Sequence, residues 1–108
     1  MLINNKVHLI GRLGMNPEIR EFGDSKMARV SLATDASYRN KEGEMVQNAH
    51  WHTLVMWGPV ASHAEKMLEK GKQIAINGKL INRSYKDKTG SKNYATEVHV
   101  AEFMVLER

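Results

Sequence analysis

The chain has 108 residues, 42% of them apolar, no cysteine and a formal net charge of +4. This length holds one domain with a modest core, and the absence of thiols excludes disulfides and thiolate metal sites and fits a reducing cytoplasm. No apolar run approaches the ~18 residues of a membrane helix, Met1 to Lys6 lacks the character of a signal peptide, and no linker, repeat or biased tract divides residues 1–108.

Most of the chain alternates with period two and is rich in β-branched side chains, which predicts strands. Val7 to Leu13 sets Val7, Leu9, Gly11 and Leu13 against His8, Ile10 and Arg12, and Gly14 with Asn16-Pro17 ends it. A second strand runs near Met27 to Ala36, with Ala28, Val30, Leu32 and Thr34 on one face. Tyr38 to Met45 is polar, contains Lys41-Glu42-Gly43 and reads as a hairpin loop. A third strand spans Val46 to Trp57. Gly58 and Pro59 then open the one helix as N-cap and first residue. Val60, Ala64, Met67 and Leu68 recur along it at helical spacing, and Gly71 is expected to end it in a left-handed conformation. A fourth strand follows from Lys72 to about Tyr85, then a turn at Lys88-Thr89-Gly90 and a last strand from about Asn93 to Leu106. Three strands, a helix and two more strands is the order of the all-β OB fold, a five-stranded Greek-key barrel with its helix between strands three and four. A β-sandwich needs more strands, and a doubly wound α/β sheet needs helices throughout.

The third strand is the most informative. Trp51, Thr53, Val55 and Trp57 share one parity, and His52, Leu54 and Met56 share the other. Leu54 and Met56 are the expected core set, which turns both tryptophans outward, about 20 Å apart along the strand. Strand four matches it. Ile74, Ile76, Gly78 and Leu80 take one face, while Lys79, Arg83 and Tyr85 take the other with Ile81 among them. Charge gathers in the same region. Lys79, Arg83, Lys86, Lys88 and Lys92 with the single acid Asp87 carry the whole net charge, and the rest of the chain sums to zero. Aromatic rings between cations on an outer face suit a single-stranded nucleic acid: bases stack on the rings and cations hold the phosphates. The candidate platforms are Trp51, Trp57, Tyr85 and, at the mouth of the hairpin loop, Tyr38. Candidate phosphate contacts are Lys6, Arg12, Arg39, Lys41, Lys79, Arg83, Lys86, Lys88 and Lys92. Each feature also has a plainer explanation: a solvated lysine-rich hairpin, tyrosines at loop edges, tryptophans in a core or a subunit contact.

Asn5-Lys6-Val7, Gly11-Arg12-Leu13-Gly14, Pro17-Glu18, Ser31-Leu32-Ala33-Thr34 and Trp51-His52 resemble the bacterial single-stranded DNA-binding protein family. So do Trp57-Gly58, Leu68-Glu69-Lys70-Gly71, Gly78-Lys79-Leu80 and Tyr94-Ala95-Thr96-Glu97-Val98. The similarity runs in register from about Asn5 to Val98. It implies an OB fold that assembles as a homotetramer and wraps single-stranded DNA in replication, recombination and repair, in the bacterial cytoplasm and on the nucleoid. It places stacking residues at Tyr38, Trp51, Trp57 and Tyr85, of which Tyr38 and Tyr85 stand where well-known members commonly have tryptophan. It also gives His52 a role in subunit packing and favours DNA over RNA. Family members usually continue into a flexible segment with an acidic tip that recruits replication and repair enzymes. This sequence stops at Glu107-Arg108, so such recruitment is not assigned to it.

Other chemistry finds little support. His50 and His52 share a strand face, but no third ligand is indicated, so neither a metal nor another cofactor is expected. No GxSxG, HExxH or phosphate-binding loop occurs, and the acids are scattered, which argues against an enzyme. Two alternatives to the DNA-coating reading stay open at this point. One is a tailless primosomal relative that binds single strands as a dimer. The other is an OB-type assembly module with no nucleic acid, its tryptophans buried between subunits.

Overall fold

The alternation of apolar and polar residues becomes a mostly β structure with one helix. The computed structural model describes residues 5–106; Met1–Asn4, and with them most of the segment tested for a signal peptide, lie outside the described residues, as do Glu107 and Arg108. The elements are β1 (Val7–Leu13), β2 (Glu18–Phe22), β3 (Ser25–Asp35), β4 (Tyr38–Arg39), β5 (Met45–Val46), β6 (Ala49–Trp57), α1 (Pro59–Met67), β7 (Gln73–Lys86) and β8 (Lys92–Val105). The main sheet runs β1-β7-β8-β6-β3-β2, and β1 also pairs with β3 through Arg12 opposite Ala33 and Leu13 opposite Leu32. Pairing therefore passes from β1 through β7, β8, β6 and β3 and returns to β1. Its one parallel step joins β6 to β8, with Leu54 opposite Val98 and Val55 opposite His99.

The enclosed faces meet in one core. Leu32, Leu54, Met56, Ile74 and Val30 are fully buried, and Val98 and Val100 join them from β8. Deleting a side chain such as Leu54 to Ala from such a core costs about 2–5 kcal/mol. Gly58 caps α1 with φ 59°, and Pro59 begins the helix without needing its missing N–H. Two details of the helix differ from expectation. Its buried stripe is Ala61 and Ala64, two small residues that bring the helix backbone close to the sheet, while Met67 is exposed. The helix also ends at Met67, before Gly71, because Leu68 turns to an extended conformation and enters the core. Gly71 does have positive φ, but in the following loop, where its N–H donates to the Leu13 carbonyl.

Three further differences concern strands. β2 is not anticipated by the alternation, because Glu18-Ile19-Arg20-Glu21-Phe22 is charged and largely exposed. It pairs with β3 through a tight turn at Gly23-Asp24, with Phe22 opposite Ser25. The expected third strand from Val46 is interrupted, leaving Met45–Val46 paired with Tyr38–Arg39 in a small hairpin of its own. Finally, Leu80 is exposed although it shares parity with buried Ile74 and Ile76. A bulge at Asn77/Gly78 shifts the register there; β8 stays buried through Val98 and Glu97 while β7 is already exposed at Leu80, and farther out the two strands continue as a two-stranded arm.

Candidate nucleic-acid interface

Register puts four strands' side chains on one outer face. Arg29 lies opposite Val55, Val55 opposite His99, and His99 opposite Lys79, so a single row crosses β3, β6, β8 and β7. Trp51 and Trp57 stand on the same face of β6, 60% and 45% exposed. Ile81, Arg83 and Tyr85 continue the face along β7, and Tyr85 is half exposed. Val55, grouped by parity with the outward residues, is buried although it lies outside the core cluster; the longer side chains of Arg29 and His99 flank it.

Each tryptophan has a distinct seat. The Trp51 indole rests over the backbone at Gly14: a Cβ built there would lie 2.4 Å from its Cζ3 and 2.9 Å from Ser31 Oγ. Only a residue without a side chain allows that approach. Trp57 has a ring beside it, Phe22 of β2, at 6.1 Å between centroids and a tilt of 39°. A groove next to Trp57 is lined by Lys6, Asn77, Lys79 and His99. Tyr38, also half exposed, sits apart on the small hairpin, opposite Val46.

The cations divide into several places. Lys6 and Lys79 meet at the groove beside Trp57. Arg12 and Trp51 are both opposite Ala33, from β1 and β6, and Arg12 also donates to the Gly71 carbonyl at 3.0 Å. Arg39 donates to the Gly43 carbonyl at 2.8 Å and so closes the hairpin whose turn holds Lys41. The basic strip of the arm is not one surface. Arg83 shares the face of Tyr85, whereas Lys86 and Lys92 face each other on the opposite side, and Lys88 is in the turn. That turn is organised by Asp87, whose Oδ1 accepts from the Thr89 N–H and hydroxyl and the Ser91 N–H, while Oδ2 accepts from Asn93. These bonds favour the ionised carboxyl and hold its pKa down at about 2.

Residues 4–106 match the family model for the single-strand binding protein family. The chain belongs to the single-strand binding protein family. It is 39% identical over 104 residues to single-stranded DNA-binding protein 1 of Chlorobaculum tepidum, a match that covers 94% of this chain and 64% of that protein. Among solved structures it is similar to a Plasmodium falciparum SSB in complex with ssDNA, with a TM-score of 0.87 and 27% identity over 99% of this chain and 98% of the other. A single-stranded DNA binding protein from Thermus aquaticus, solved as a deletion mutant, gives 0.81 and 25% identity over 96% of this chain and 51% of that one.

Against this family background, two aromatic residues stand out that the sequence alone did not single out. Phe22 is half exposed beside Trp57, and the Gly23-Asp24 pair after it is a hairpin signal that could have revealed its strand. Tyr94 is 72% exposed on the arm face opposite Tyr85, with Lys92 Nζ 5.9 Å from its ring centroid. His52 is half-buried and within 3.0 Å of Thr34 Oγ1. Among the described residues no three His, Asp or Glu side chains converge as a metal site would require, and no helix is long and apolar enough to cross a membrane.

Proposed function

We propose that this chain binds single-stranded DNA without sequence preference and protects it during replication, recombination and repair in the bacterial cytoplasm, as a binding protein and not an enzyme. Bases stack on Trp51, Trp57, Tyr38 and Tyr85. Lys6, Arg12, Arg39, Lys41, Lys79, Arg83, Lys86, Lys88 and Lys92 meet the phosphates. The observation that carries this reading is the exposure of both tryptophans on one strand face that continues, row by row, to Lys79, Arg83 and Tyr85. Large aromatics are usually covered in a small protein, and a surface of exposed rings between cations matches the needs of a stacked, negatively charged strand. The family and the DNA-bound Plasmodium relative support the same ligand.

The return of strand pairing to β1 supports a five-stranded OB barrel made of β1, β3, β6, β7 and β8, with α1 between its third and fourth strands. Assembly as a homotetramer is supported by an apolar row away from the tryptophans. Ile10, Ala75 and Met104 lie side by side on β1, β7 and β8, and Ile10 and Met104 are 60% and 65% exposed. In this reading that row packs subunits together and His52 contributes to a contact between them.

The chain contains only two tryptophans, both assigned to stacking. Titration with oligo-dT should therefore quench most of the intrinsic fluorescence. A flat titration of the folded protein would overturn the stacking reading and favour an assembly module.

A further inference from the structure

Glu97 is a buried carboxylate on the face assigned to DNA. It is 5% exposed, and on β8 it stands between the strand that carries both tryptophans and the strand that carries Lys79, Arg83 and Tyr85. A buried negative charge is costly anywhere, and beneath a surface that receives a polyanion it also repels the ligand. Its contacts supply a reason for its presence. Oε2 lies 3.1 Å from Nη2 of Arg83, and Oε1 lies 3.3 Å from Nε2 of His99, so one side chain is fixed by two neighbours. Arg83 is itself 61% exposed, meets the carboxylate through Nη2 as an ion pair, and shares its strand face with Tyr85.

From this geometry we infer that Glu97 is a positioning residue, which holds Arg83 with the open edge of its guanidinium presented to a DNA phosphate. The inference rests on the single-strand binding reading and adds a specific division of labour to it. An exposed arginine on a free stem loses side-chain entropy when it meets a phosphate; one anchored by a buried carboxylate has lost much of it beforehand. A planar fork can bond a carboxylate with one edge and a phosphate with another, which a lysine ammonium cannot do in fixed geometry. His99 completes the anchor from the same strand.

The test turns on a sign. Glu97→Gln removes a negative charge from the DNA face, so by charge alone it tightens oligo-dT binding. By the positioning role it weakens binding, and the slope of log K against log salt becomes shallower by about 0.7, the value of one phosphate on a single strand. That loss amounts to about fivefold in affinity for each decade of salt below 1 M. Arg83→Gln should show the same loss, and in the Arg83→Gln background Glu97→Gln should weaken binding no further. Weakening of equal size in both backgrounds would mean that Glu97 only supports the fold, and tightening in the wild-type background would mean that its charge alone matters; either result overturns the inference. Arg83→Lys, which keeps a positive charge beside the buried Glu97, should bind roughly threefold or more weaker than wild type. Wild-type affinity in that variant also overturns the inference. Wild-type protein is titrated in parallel, and failure of that titration removes the DNA-binding reading itself.

Discussion

Trp51 and Gly14 fit together so closely that the indole occupies the space of the missing side chain: a Cβ on Gly14 would stand 2.4 Å from Cζ3 and 2.7 Å from Cη2 of the ring. The ring is rigid, so a methyl on Gly14 pushes the whole indole from its seat, while Ser31 Oγ, 2.9 Å away, also has to give. Gly14→Ala should therefore weaken oligo-dT binding, by about 1 kcal/mol and no more than the ~1–3 kcal/mol of one lost stack. In a Trp51→Ala background the same substitution should cost much less affinity, because the ring it displaces is gone. Anisotropy of a labelled oligonucleotide, with Gly14→Ala placed in the wild-type and in the Trp51→Ala background, measures the difference.

Phe22 makes a different contribution. Its ring lies 6.1 Å from that of Trp57 on a neighbouring hairpin, and both are exposed. An aromatic neighbour at this spacing is worth about 0.5–1.5 kcal/mol and limits how far the partner ring can swing. Phe22→Ala should change the Trp57 emission and lower oligonucleotide affinity by about that amount, while the thermal midpoint moves by only a few degrees. An unchanged emission would show that the two rings are independent in solution.

Phe22 also shows where the sequence stops being readable. The parity of β6 was enough to place Leu54 and Met56 inside and Trp51 and Trp57 outside, because both faces of that strand have clear composition. β2 offers no such contrast: four of its five residues are exposed, so no apolar period marks it, and the partner of Trp57 is hidden with it. Pairing across strands is equally invisible. Glu97 reads as one more surface acid until the register sets it among Arg83, His99 and the tryptophan strand. The arm's net charge is legible from its residues, but a sum along the chain does not show that Lys86 and Lys92 face away from Arg83.

The arm's turn depends on an ionised Asp87, since its carboxylate accepts from Thr89, Ser91 and Asn93. The folded pKa, about 2, lies below the ~3.9 of an unperturbed aspartate. The stabilisation is thus fully present above about pH 4 and is lost as pH falls through about 2. Amide exchange at Thr89 and Ser91 should be slow relative to intrinsic rates near pH 5 and lose that protection toward pH 2. Asp87→Asn should abolish the pH dependence of that protection, with exchange already fast at pH 5. Protection that persists unchanged to pH 2 would mean that the turn does not rely on the carboxylate.

Salt separates stacking from charge. Trp57 carries an exposed ring at the end of β6, and Lys88 carries an exposed cation in the turn of the arm. A lost stack costs about 1–3 kcal/mol, a factor that changes little with ionic strength, because no counterion is released when a base meets a ring. A lost phosphate contact follows the logarithm of salt with a slope near 0.7, so its cost is greatest in dilute buffer and vanishes toward about 1 M. Trp57→Ala should therefore shift the whole binding isotherm to weaker affinity and leave the salt slope close to that of the wild type. Lys88→Ala should lower the slope and converge on the wild-type affinity at high salt. Binding curves for the two variants from about 0.05 to 1 M salt test both statements, with labelled oligonucleotide anisotropy as the readout. If Lys88→Ala were the weaker binder of the two at high salt, charge and not ring stacking would carry the affinity.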